Sequence, residues 1–350
     1  MEKEKTEQEL AEQNERELQE GIDEAETEVE KEWKKKGGAG PRSLVIHPES
    51  MDIERISTGL PSLDWAIGGG LPVGAVTEIF GDPSTGKSSI ATNIAGHIQK
   101  EGGNVLWIDA EGTFEPRWAR VLGLDQNKQF VRMKPTFAEK MFQLIEKLAK
   151  KEKYKLIVLD SIGIILPRAE QQGDYGDANM GVSPRLLSQV CRKITPVLDE
   201  SRTTLLLINQ QRMNLTKYGP PKAPPGGLAL KHKVSIQIET KVDKDEKTRL
   251  GTEEGVAINI TVPKNKTAPP SKTCRIHIIH DKTLDDSDRG IDIEQGMVEV
   301  ARKLELITQN KAYYTWNDTS YHGIKNVIKA IKTDKELYAK LQDDIESISS

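Results

Sequence analysis

What this chain lacks narrows its identity quickly. No run of about 18 apolar residues occurs in it, so no membrane span is expected. Its opening, Met1-Glu2-Lys3-Glu4-Lys5, has nothing of a secretory leader. Cysteine is scarce: Cys191 and Cys274 lie far apart without metal-ligand spacing and are expected as reduced core residues of a cytoplasmic protein. No internal repeat is visible. With 36% hydrophobic and 30% charged residues, the 350-residue chain is neither disordered nor fibrous, and it can bury one large core with smaller appendages. Charge of one sign is missing only on average. Residues 1–36 hold 14 acidic and 7 basic side chains, so a net charge of −4 leaves the remainder modestly basic, at +3. A basic body is compatible with a nucleic-acid partner without proving one.

What is present centres on Gly81-Asp82-Pro83-Ser84-Thr85-Gly86-Lys87-Ser88, two glycines enclosing four residues and followed by Lys and Ser. In this phosphate-binding pattern the backbone N–H groups of a tight loop point inward at phosphate oxygens, which glycine permits where a Cβ would obstruct. Lys87 brings a charge to the β- and γ-phosphates, and the Ser88 hydroxyl suits Mg²⁺. Residues 75–80 read as a buried strand and residues 89–99 as a helix whose N-terminus, starting with Ser89, faces the anion. A nucleoside triphosphate site is expected.

Along the chain, residues 1–36 are Glu-rich and read as a solubilising segment, either a solvated helix or a tail, with Gly37 to Pro41 as linker. After the phosphate loop, short apolar strands alternate with amphipathic helices. Strands are expected at 105–109, 130–133, 156–160 and 204–209, and helices at 116–122, 137–150 and 186–198. Consecutive strands follow at 235–240, 256–262 and 274–279. This predicts an α/β fold with a mostly parallel central sheet covered on both faces and an antiparallel extension. The expected organisation is an acidic extension and linker over 1–40, an ATPase core over 41–280, and a small C-terminal α/β domain over 281–350 with a hairpin near Tyr313 to Trp316.

Several strands end in residues suited to phosphate chemistry. Leu156 to Leu159 lead into Asp160, which after a phosphate loop suits the Mg²⁺ shell opposite Ser88, a capping role being the alternative. Ile108-Asp109-Ala110-Glu111 supplies a second carboxylate, and Glu111 is either a base that polarises water or one half of a salt bridge. Asn209-Gln210 ends another strand in amides that can sense a γ-phosphate. Two long Gly/Pro-containing segments follow on the same edge, about 171–181 and 210–228. In the second, Arg212, Lys217, Tyr218 and Lys222 combine charge with an aromatic, as single-strand binders require, and a surface loop is the alternative. Pro263-Lys264-Asn265-Lys266, with Lys272, reads as a basic turn. It is either solvated or turned toward phosphates of a neighbouring subunit's nucleotide.

In that order, these motifs resemble the RecA recombinase family from about Ile56 onward. The likeness rests on Ser57-Thr58-Gly59, the phosphate loop, Asp109-Ala110-Glu111, Asp160-Ser161, Gly176-Asp177 with Met180-Gly181, Asn209-Gln210 with Arg212-Met213, Gly226-Gly227 with Ala229-Leu230-Lys231, and Lys264-Asn265-Lys266. The resemblance implies an ATP- and Mg²⁺-dependent recombinase. Such a protein forms homo-oligomeric filaments on single-stranded DNA, exchanges strands with double-stranded DNA and hydrolyses ATP. It implies that Glu111 is the catalytic glutamate, Gln210 the γ-phosphate sensor, and Glu115 and Trp118 the adenine contacts. It further implies DNA contacts at Met180, Arg185, Arg192, Arg212, Met213, Gly226 and Gly227, and lysines acting across the filament interface at Lys264 and Lys266. Four features depart from the family: Trp118 for a more usual Tyr, a proline-rich second loop, His232 at an interface position that is commonly aromatic, and a first 40 or so residues that extend beyond the usual N-terminal helix without an assigned counterpart. A ring helicase on the same core and a non-catalytic recombination mediator are the alternatives.

Overall fold

A computed structural model describes residues 13, 24, 27, 31, 53–128, 130–133, 137–164, 167–168, 182–213, 222–223, 227–243, 255–280 and 283–349. The chain divides into two compact units, residues 1–53 and 54–350. Within the first, Gln13, Glu24, Thr27 and Lys31 are helical and exposed. All that follows concerns the second.

Its strands are β1 (Arg55–Ile56), β2 (Leu71–Pro72), β3 (Val76–Gly81), β4 (Val105–Asp109), β5 (Phe130–Met133), β6 (Leu156–Asp160), β7 (Thr204–Gln210), β8 (Arg212–Met213), β9 (Lys222–Ala223), β10 (Ile236–Val242), β11 (Gly255–Asn265), β12 (Thr273–Ile279), β13 (Gly290–Asp292), β14 (Thr308–Asn310), β15 (Tyr313–Trp316) and β16 (Thr319–His322). Its α-helices are α1 (Pro61–Ile67), α2 (Lys87–Lys100), α3 (Pro116–Val121), α4 (Ala138–Ala149), α5 (Val182–Ser201), α6 (Gly227–Lys233), α7 (Ile293–Lys303), α8 (Ile324–Thr333) and α9 (Lys335–Ser349).

A nine-stranded sheet runs β13-β12-β11-β10-β3-β7-β6-β4-β5. From β10 to β5 every pairing is parallel, and from β10 to β13 every pairing is antiparallel. The α/β class with an antiparallel extension is as the sequence pattern predicts. Alternation along each central strand divides the core in two. Val105, Trp107, Leu156, Val158, Leu206 and Ile208 face one layer with α1, α2 and the C-terminal helices. Leu106, Ile108, Ile157, Leu159, Leu205 and Leu207 face the other with α4, α5 and α6. A strand buried on both faces leaves little room for polar residues, which is why β4 and β6 are apolar up to their terminal Asp. In α2, Ile90, Ile94 and Ile98 recur every fourth position and are buried, each stabilising the docked helix by about 2 kcal/mol.

Several expected boundaries move, and the helix expected at 186–198 runs over Val182–Ser201. The helix after the phosphate loop begins at Lys87 rather than Ser89. The basic turn is shorter than expected, because β11 continues through Pro263 and Lys264 to Asn265. Proline is tolerated at 263 because it falls where the β10–β11 register shifts, between the Glu239–Thr261 and Gln237–Lys264 pairs. Both cysteines are buried and free.

Candidate active site

Parallel strands bring their carboxyl ends to one edge, and that edge gathers the chemistry. Gly81 ends β3 beside Gln210 at the end of β7, and Asp109 ends β4 beside Asp160 at the end of β6. The phosphate loop leaves β3 and enters α2 through Gly86, which has a left-handed φ of 75°. A Cβ on Gly81 would lie 2.4 Å from the Thr240 carbonyl oxygen, and one on Gly86 would lie 2.8 Å from Ile278 Cδ1. A side chain at 81 would have to displace the β10 backbone, and one at 86 would press on the Ile278 side chain and strain a left-handed backbone. The Thr85 hydroxyl braces the loop, 2.6 Å from Thr240 Oγ1 and 2.8 Å from the Asp82 carbonyl oxygen, to which it donates.

Lys87 is buried, and its Nζ donates to the carbonyl oxygens of Asp82 at 2.6 Å and Gly81 at 3.3 Å. Burial pulls its pKa below the ordinary lysine value, against the opposing attraction of Asp160, Glu111 and Asp82. Asp160 is also buried. Burial pushes its pKa up to about 6, helped by the nearby Glu111 and Asp109 carboxylates and opposed by the Ser88 hydroxyl bond and by Lys87. A Ser hydroxyl bonded to a carboxylate that is crowded by other carboxylates is a site that a divalent cation would relieve. Among the described residues no three acidic, His or Cys side chains form an all-protein cage. The Ser88–Asp160 pair suits Mg²⁺, which keeps water and phosphate ligands beside one or two protein groups. The loop and this pair therefore fit a magnesium-bound nucleoside triphosphate.

Glu111 Oε1 accepts from Ser161 Oγ at 2.6 Å and from Gln210 Nε2 at 2.8 Å. The expected carboxylate and the expected sensor are thus in direct contact. Asp109 does different work. Its oxygens accept from the backbone N–H groups of Gly112, Thr113 and Phe114 at 2.7 to 3.4 Å, and Oδ2 also accepts from Arg132 Nη2 at 2.5 Å. It shapes the turn that holds Glu111 in place.

Glu115 caps α3, accepting from Arg117 N at 2.9 Å and Trp118 N at 2.5 Å, and those backbone bonds lower its pKa. Trp118 Nε1 donates to Ser89 Oγ at 3.0 Å, which sets the indole over the first turn of α2. Its ring lies 4.8 Å from the His280 ring, and the Arg289 guanidinium is 5.8 Å from its centroid. His280 and Arg289 escaped the sequence reading, as did Arg132 and the contact made by Ser161. A signal existed only for Ser161, which sits next to Asp160 at a strand end.

Lys264 and Lys266 are not brought to this edge. Lys266 N bonds Ser235 O, and Ser235 N bonds Val76 O, at the amino end of β3, roughly 16 Å of strand from Gly81. The Lys264 ammonium donates to the carbonyls of Lys231, His232 and Val234, where α6 ends. Burial and the neighbouring Lys266 and Lys231 lower its pKa to about 8. Of the expected DNA contacts, Arg192 is exposed on α5, and Arg185 lies on the same helix. Arg212 and Met213 form β8, which pairs with β9, so the two ends of the second long segment are joined. Gly227 opens α6, and Met180 and Gly226 lie outside the described residues.

An α/β sheet with a phosphate loop, a strand-end Asp beside the loop Ser and a carboxylate–amide pair defines a phosphate-loop nucleoside triphosphatase. Within that class, the model for the RecA N-terminal domain matches residues 21–285. Protein RecA of Nostoc sp. is 34% identical over 298 residues, covering 84% of this chain and 81% of its own. Protein RecA of Clostridium novyi is 32% identical over 323 residues, covering 91% and 88%. The chain belongs to the RecA family. The crystal structure of the RadB recombinase, 20% identical, superposes with a TM-score of 0.51 over 67% of this chain and 97% of that one, a likeness of fold.

Proposed function

We propose that this chain is an ATP-dependent DNA recombinase. It assembles head to tail on single-stranded DNA with ATP and Mg²⁺, pairs that strand with homologous duplex, and hydrolyses ATP to turn over. RecA-family membership makes it a DNA-dependent ATPase of the recombination and repair class. The observation that carries the assembly is the separation of Lys264 and Lys266 from the phosphate loop along the sheet. Lysines at the amino edge reach a triphosphate at the carboxyl edge only in another copy, and such a head-to-tail contact extends as an open helical filament when its rotation does not close a ring.

Within one protomer the roles follow from the geometry. The loop N–H groups and Lys87 hold the β- and γ-phosphates, with Ser88 and Asp160 as the residues that would bind Mg²⁺. When bound, the ion neutralises phosphate charge. Trp118 offers a flat face to the adenine, with Glu115 at the helix start beneath it. Glu111 accepts a proton from the attacking water. Gln210, bonded to Glu111, exchanges that bond for one to the γ-phosphate and so reports the nucleotide to the segment that begins at Arg212. That segment and residues 171–181 grip DNA, with Arg185 and Arg192 on α5 between them in sequence. Residues 281–350 act as a small C-terminal domain, and the protein works in the cytoplasm. Among the described residues no helix is long and apolar enough to cross a membrane.

Electron microscopy with single-stranded DNA, Mg²⁺ and a slowly hydrolysed ATP analogue should show nucleoprotein filaments. Monomers under those conditions would overturn the assembly. Glu111→Ala should lower DNA-stimulated turnover by about 10²- to 10⁴-fold while keeping nucleotide-dependent DNA binding. Undiminished turnover would remove Glu111 from the role of base.

A further inference from the structure

Behind the active site, one buried acid has no part in the chemistry described so far. Glu78 lies in the middle of β3, the strand that leads into the phosphate loop, and is fully buried. Its two oxygens take amide donors from the strands on either side. Asn209 Nδ2 of β7 donates to Oε1 at 2.8 Å, and Gln237 Nε2 of β10 donates to Oε2 at 2.6 Å. The chain of bonds continues toward the reacting groups. Asn209 Oδ1 accepts from the backbone N–H of Gln210 at 3.0 Å, and Gln210 Nε2 donates to Glu111 Oε1 at 2.8 Å. In the other direction, Gln237 is the register partner of Lys264.

We propose that Glu78 is a positioning residue for hydrolysis. By accepting from Asn209 it fixes which way that amide points, and the oriented Asn209 oxygen holds Gln210 where its side chain meets Glu111. A primary amide in a buried site has one donor end and one acceptor end, so its orientation is set by what each end faces. With a carboxylate on one side and an N–H on the other, Asn209 has one arrangement that satisfies both. Burial raises the Glu78 pKa, while Asn209, Gln237 and Lys264 favour the charged form.

The inference rests on the ATPase reading above, and its test separates the two. Glu78→Gln leaves one acceptor oxygen for two amide donors, so either Asn209 or Gln237 must turn or lose its bond. Wild-type, Glu78→Gln and the Glu78→Gln/Asn209→Asp double variant are compared for DNA-stimulated ATP hydrolysis, KM for ATP, DNA binding and thermal unfolding. The single variant is expected to lose about 10- to 100-fold in kcat with KM and DNA binding within about twofold of wild type. In the double variant the new amide at 78 donates to the new carboxylate at 209, still accepts from Gln237, and leaves an oxygen for the Gln210 N–H. Turnover is expected to return to within about threefold of wild type, a recovery that packing alone does not give. If the single variant fails to fold but the double variant folds and turns over, the relay stands. Unchanged kcat in the single variant, parallel loss of kcat and DNA binding, a folded double variant without recovery, or two variants that do not fold would each overturn it. A wild-type protein with no DNA-stimulated hydrolysis would instead strike the ATPase reading.

Discussion

The two ends of the central sheet differ in how finished they are. At the carboxyl edge, the phosphate loop, Asp160, Glu111, Ser161 and Gln210 are already bonded to one another or packed within one cluster. At the amino edge, the Lys264 ammonium is occupied by three carbonyls of its own chain, and Lys266 is exposed. The first end is assembled by folding, since strand order alone places four strand termini side by side. In the proposed assembly the second is completed only when another copy supplies a charge stronger than a helix end. A lysine lowered to about 8 and already seated on carbonyl oxygens is cheap to move toward a triphosphate, whose full charges outweigh partial ones. On the proposed assembly, hydrolysis depends on a neighbouring copy, because neither end holds the whole site.

The largest test of that contrast mixes inactive partners. Lys87→Ala should lose on the order of 10³-fold in turnover, and Lys264→Ala with Lys266→Ala on the order of 10²-fold. Mixed in equal amounts, they should regain activity, because random neighbours make roughly one site in four complete. Absence of any recovery would place the lysines outside the reaction.

A smaller effect concerns pH at the carboxyl edge. Asp160 ionises near pH 6 in the fold and at 3.8 when unperturbed, so the folded chain holds its proton the more tightly. The metal-free protein therefore gains stability from this group at low pH and loses it as pH rises from 3.8 through about 6. Mg²⁺ binds the ionised form, so its affinity should fall about tenfold per unit below pH 6, read by titration with nucleotide present. A flat Mg²⁺ affinity from pH 5 to 7 would remove Asp160 from the metal site.

The smallest is at the base platform. Trp118→Ala should raise KM for ATP by about 3- to 10-fold with kcat little changed, and Trp118→Tyr should restore it, since an aromatic face is worth about 1 kcal/mol beyond its area. Equal behaviour of the two variants would show that the base does not use this face.

Most strands were legible because burial on both faces of a parallel sheet demands an unbroken apolar run, which Leu156 to Leu159 and Leu205 to Ile208 display openly. The continuation of β11 through Lys264 was not, because Pro263 and two lysines look like a turn when the partner strand is unseen. Glu111 and Gln210 could be named as a carboxylate and an amide at strand ends, but their contact crosses 99 residues of chain. Arg132, His280 and Arg289 carry no local pattern at all. They matter through what lies opposite them.

By itself, then, the order of residues determined the elements and the phosphate loop, because periodicity and the need for glycine are local properties of a chain. Only the folded sheet decided which carboxylate braces a turn, which one meets the sensor amide, and that the lysine pair sits at the far edge. Those outcomes depend on strand order and register, and no short stretch of sequence contains either.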